Sequence, residues 1–124
     1  MSDVLFWLYL TNSVLIICHE IDSAYWKEWE LFKIPGGLTV FLLLHFPLLF
    51  VVLYGLTRVS RGLGSGFVFS VVLSLGGLFA FSIHTYFLRK GRKEFSQPIS
   101  IMIILLTGFV SVIQLAVTLY SILT

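Results

Sequence analysis

Four long apolar stretches, separated by short polar or charged segments, organise this chain. Leu38–Leu56 runs from Pro35-Gly36-Gly37 to Arg58. Phe67–Leu88 lies between Gly62-Leu63-Gly64-Ser65-Gly66 and the cluster Arg89-Lys90-Gly91-Arg92-Lys93. Ile99–Leu123 follows Pro98, a residue suited to the first turn of a helix. These runs are close to the roughly 20 residues that cross a bilayer as a helix. None alternates with period two, so barrel strands are not expected. The predicted fold class is all-α: a four-span transmembrane helix bundle forming one domain over 1–124. Its spans are expected at about 4–25, 38–57, 67–88 and 99–123.

The first span is the unusual one. Val4–Cys18 is uncharged but falls short of a full crossing. Either the bilayer thins there, or the helix continues through His19-Glu20-Ile21-Asp22-Ser23-Ala24-Tyr25-Trp26. The second arrangement brings His19, Glu20 and Asp22 to membrane depth. It also places Trp26 and Trp29 in the interfacial aromatic belt. No proline or glycine precedes Pro35, so the helix is expected to project from the membrane or bend along its surface.

Composition agrees with the pattern. Hydrophobic residues make up 58% and mean hydropathy is +1.01. Charged residues are 11%, against about 25% in soluble domains. An ordinary soluble enzyme, a nucleic-acid-binding domain and a disordered chain are thereby excluded. The net charge of +2 implies no polyanionic partner. Cys18, the single cysteine, permits no internal disulfide and reads as a packing residue. Met1-Ser2-Asp3 lacks the basic start of a cleavable signal, so the first span is expected to be kept.

Basic residues set the expected orientation. Lys27, Lys33, Arg89, Lys90, Arg92 and Lys93 fall on one side; Arg58 and Arg61 fall on the other. The richer side is expected in the cytoplasm, with both termini outside, periplasmic if the membrane is a bacterial inner membrane.

Three histidines carry the candidate chemistry. His19 ends the first uncharged run. His45 falls roughly 10 Å, and His84 roughly 7–8 Å, inside the same membrane face at 1.5 Å rise per residue. Ionisable side chains within spans usually face the bundle interior and mark a site. His19 and Asp22, at i and i+3, share a helix face. A His–carboxylate pair from one helix with single histidines from two others builds a metal site in a bundle. The expected ligands are His19, Asp22, His45 and His84, with Glu20 a ligand or the catalytic general base. The ion is a divalent metal, Zn or Fe first. A His–carboxylate cluster that only locks the bundle satisfies the same groups without a metal.

Other features have structural readings. Glu28 and Lys27 are expected on the solvated face of an interfacial helix. Tyr25 is either an anchor or a hydrogen-bond donor into the site. Pro47 is expected to kink the second span. Gly76, Gly77 and Ala80 form a small face for close helix approach, and Gln114 reads as interhelical glue. The 89–93 cluster is also suited to anionic headgroups.

The stretch H-E-I-D-S-A-Y-W-K-E-W-E-L-F, followed by P-G-G and L-L-L-H-F-P, resembles a family of small four-helix bacterial integral membrane proteins of unknown function. The resemblance covers most of the chain. It implies a four-span bacterial membrane protein and draws attention to His19, Glu20, Asp22, Tyr25, Trp26, Glu28 and His45. It supplies no activity.

Three functions follow as expectations. The first is a metal-binding membrane protein, extending to a metal-dependent enzyme on a lipid or other membrane-embedded substrate. The second is electron transfer through a b-type haem held by His45 and His84. The third is a non-enzymatic accessory subunit or small oligomeric transporter, which would need several copies to enclose a pore. The expected partners are the lipid bilayer and a homo-oligomer or membrane protein, with no nucleic acid.

Overall fold

A computed structural model describes residues 3–124. It contains helices α1 (Asp3–Tyr25), α2 (Glu28–Leu31), α3 (Gly37–Ser60), α4 (Ser65–Arg89) and α5 (Pro98–Leu123), with no strand among the described residues. The four long helices are each long and apolar enough to cross a membrane. The chain is a membrane protein built as a transmembrane helical bundle.

The first helix continues through His19 to Tyr25, so two charged residues and a histidine enter a span. Beyond it, of the two expected courses, projection from the membrane or a bend along its surface, the helix does not continue straight on: it ends at Tyr25. Lys27 takes a left-handed conformation (φ 55°), as does Lys33 (φ 56°), and α2 is a single turn between them. Left-handed backbone is costly for a residue with a Cβ, so no sequence signal marks this break. Its effect is to fold residues 28–32 back beneath the bundle.

The four long helices are arranged in a ring. Helix α1 touches α3, α4 and α5, α4 lies between α3 and α5, and α3 does not meet α5. Between α4 and α5 two glycines permit close approach. A Cβ on Gly77 would collide with the Ser111 side chain, and one on Gly108 would overlap the Phe81 ring. These are small-residue contacts of the kind that bring membrane helices together.

The α1, α4 and α5 interface has a polar seam. Asn12 donates from Nδ2 to Gln114 Oε1 (2.8 Å) and to Ser111 Oγ (3.1 Å). Gln114 donates from Nε2 to Ser70 Oγ (3.0 Å), and Ser70 shares a 2.7 Å hydrogen bond with Thr118. Asn12, Ser70, Gln114 and Thr118 are fully buried. In hydrocarbon these amides have no water to turn to, so each ties two helices. Gln114 is interhelical glue, as expected.

Apolar packing flanks the seam. Leu5, Tyr9, Ile16, Val52, Val59 and Leu73 form the main cluster. The Tyr9 hydroxyl donates to the Val52 carbonyl (2.8 Å), fixing α1 against α3. A second cluster of Leu31, Phe95 and Ile104 closes the end where α2 and the α4–α5 connection lie. Helix α3 runs on through Pro47 and is the least covered of the four.

Candidate metal centre

The α2 end of the bundle collects the ionisable side chains. His19 projects inward from α1 and His84 from α4; both are buried. Glu28, the first residue of α2, reaches between them. One ligand atom each from His19, Glu28 and His84 lies within 4.8 Å of the other two. His84 Nε2 stands 3.3 Å from Glu28 Oε1. The His19 and His84 rings meet edge to face, with centroids 4.6 Å apart.

The local sequence explains the convergence. His19 and Ser23 lie one turn apart on the buried face of α1. The left-handed Lys27 then reverses the chain, so Glu28 points back under α4. From the other side, Phe95 enters the bundle from the α4–α5 connection with its own left-handed backbone (φ 67°). Its ring lies 4.3 Å from that of His84 and 5.9 Å from that of His19. Phe32 lies 6.5 Å from His84. Aromatic rings thus flank both imidazoles on the side of the α4–α5 connection.

Hydrogen bonding leaves this cluster incomplete. His84 Nδ1 and His19 Nδ1 have no hydrogen-bond partner among the described residues, and His84 Nε2 has only its 3.3 Å ion-pair contact with Glu28. A buried polar atom left unpaired costs about 1–3 kcal/mol. Such atoms call for an explanation, and an ion is one. Burial pushes the Glu28 carboxyl up, but the His84 imidazole, the Ser23 hydroxyl and His19 outweigh it. The net effect holds the Glu28 carboxyl below the usual carboxylate range. Two neutral imidazoles and one carboxylate are a donor set for zinc or ferrous iron.

The remaining sequence candidates are arranged differently. His45 does not join the cluster. Its Nδ1 donates to the Phe41 carbonyl (2.6 Å), and its Nε2 meets Glu20 Oε2 at 2.5 Å. A carbonyl can only accept, so Nδ1 carries a hydrogen. The Nε2–Oε2 contact then holds a proton, on imidazolium or on carboxylic acid. Glu20 and His45 thus form a proton-carrying pair beside the cluster. Asp22 is also outside it: Trp26 donates from Nε1 to Asp22 Oδ1 (3.0 Å). The expected i, i+3 face is not the one used, because His19 points inward with Ser23 while Asp22 pairs along the helix with Trp26. Tyr25 is exposed and stacks edge-on against Trp26, as an anchor would.

Two site residues escaped the sequence reading. Glu28 was expected on a solvated face; instead only 14% of its side chain is accessible. Nothing in the helical periodicity signals this, since the break at Lys27 resets the phase. Phe95 did leave a trace. It is the one large apolar residue between Arg89 and Pro98, and such a residue in a charged loop is suited to fold inward.

A cavity of about 320 Å³ opens beside the cluster, between α1, α3 and α4. His19, Glu20, Glu28 and His84 border it together with apolar side chains that extend as far as Tyr9.

No curated protein matches this chain, and no solved structure does. A family model does match, over residues 5–121, and the chain therefore belongs to DUF6713, a family of unknown function.

Proposed function

We propose that this protein binds a divalent metal, zinc or ferrous iron, through His19, Glu28 and His84 within the membrane. The observation that carries the reading is the buried convergence of two imidazoles and a carboxylate, His19, His84 and Glu28, with ligand atoms within 4.8 Å of one another. Three protein ligands leave coordination positions open, the arrangement of catalytic rather than structural sites. The cavity borders the same residues, so an open position would face it. There the ion would polarise an oxygen of a membrane-embedded substrate or of water. The Glu20–His45 pair, on the same wall through Glu20, is placed to take or return a proton. The reading is therefore a metal-dependent enzyme acting on a lipid or another membrane-embedded molecule.

The basic loops support a cytoplasmic position for the site, with the termini on the other face. In a bacterium this would be the inner membrane.

Elemental analysis of protein purified without a histidine tag tests the metal. About one equivalent is expected in the wild type and less than about a tenth in His84→Ala, since a site stripped of one of three ligands loses most of its affinity. Equal, negligible metal in both proteins would overturn the reading.

A further inference from the structure

The two adjacent glycines of α4 have different surroundings. Gly77 is filled against Ser111, whereas a Cβ on Gly76 would meet no atom within 4 Å. Gly76 is exposed on α4 and packs against no helix, and a glycine inside a helix costs about 1 kcal/mol relative to alanine. What Gly76 borders is the cavity.

That cavity has a definite polarity. Its ionisable groups, His19, Glu20, Glu28 and His84, are at one end. The rest of its wall is apolar except for Tyr9, whose hydroxyl is already engaged by Val52. Tyr9 to His19 is ten residues of α1, so the apolar part is about 15 Å long at helical rise. The volume is at the lower end of the range for ligand pockets, about 300–1,000 Å³, enough for one slender molecule.

The cavity also has a side opening. Leu48 and Val51 of α3, with Val72 and Phe79 of α4, border it and are 42–66% exposed. All four lie within membrane-spanning helices, so the opening faces lipid tails. The polar end is at a fitting depth. His84 is five residues from the end of α4, roughly 7–8 Å by helical rise. This is near the boundary of hydrocarbon and headgroup regions, where the ester groups of bilayer lipids lie.

We propose that the cavity takes one acyl chain of an ester-linked bilayer lipid, entering sideways between α3 and α4, with the ester carbonyl at the His19–Glu28–His84 end. Gly76 keeps the channel open for that chain. The inference names the substrate class for the metal centre proposed above and rests on that reading only for what happens at the polar end.

The test is photo-crosslinking in nanodiscs of phosphatidylcholine doped with a phosphatidylcholine that carries a diazirine within one acyl chain. Labelled peptides are located by mass spectrometry. Label should concentrate on residues 48–52 of α3 and 69–80 of α4. Gly76→Phe, which fills the channel, should lower that label about tenfold, the change expected when two or more methylenes lose their contacts. Gly76→Leu should lower it less, and serves alone if the larger residue prevents folding. Metal content should be unchanged in both.

Label spread evenly over the lipid-facing helices, or insensitive to Gly76, would overturn the proposal. So would preferential labelling of the same walls by a diazirine sterol. Localised label in protein that binds no metal would leave the chain site standing and remove the metal reading. Metal retained with evenly spread label would do the reverse.

Discussion

At the scale of residues, the cluster depends on which carboxylate meets the imidazoles. His19 and His84 were legible because a histidine in an apolar helix has few places to go. Glu28 was not, since a left-handed lysine between two helices brings it home. Asp22 and His45 show the converse: they have the right residue types but turn elsewhere, Asp22 Oδ1 to Trp26 and His45 to Phe41 and Glu20. A metal-content series should separate these roles. Glu28→Gln should reduce retained metal at least about tenfold, because a neutral amide is a far weaker ligand than a carboxylate. Asp22→Asn and His45→Ala should each keep the wild-type amount. Metal should also be lost as pH falls, because an imidazole must be unprotonated to ligate.

Between elements, the decisive contacts are small and polar rather than large and apolar. The four spans could be read from run length alone. Their pairing could not, because lipid tails are as apolar as leucine and periodicity gives no strong face. Gly77 and Gln114 carry much of the specificity. Gly77→Leu should destabilise the bundle by about 1–3 kcal/mol through overpacking against Ser111. Gly76→Ala should be neutral or stabilising by up to about 1 kcal/mol, as helix propensity improves without a clash. Reversible unfolding in bicelles reads both. Gln114→Leu breaks bonds to Asn12 and Ser70. At about 0.6 kcal/mol per interhelical bond, it should cost about 1–2 kcal/mol in the same assay.

For the whole molecule, the bundle brings its ionisable groups to one end and leaves a hydrocarbon-lined cavity above them. The sparse charge of the sequence indicated the membrane. It could not reveal the cavity, which depends on how α3 sits against α1 and α4. The proposed orientation has its own check: a cysteine introduced at Lys93, in the Cys18→Ser background, should react with an impermeant maleimide only after the cytoplasmic side is opened. One introduced at Gly62 should react from outside.

In the proposed site His19, Glu28 and His84 hold the metal and His45 does not. X-ray absorption at the metal edge tests it most directly, on wild type, His84→Ala and His45→Ala protein purified without a tag. The wild type should show a nitrogen and oxygen shell at about 2.0–2.2 Å with imidazole scattering, and no sulfur. His45→Ala should leave that spectrum unchanged, while His84→Ala should abolish the signal or remove an imidazole from the shell. A metal-free wild type, or a spectrum that changes with His45 but not with His84, would contradict it.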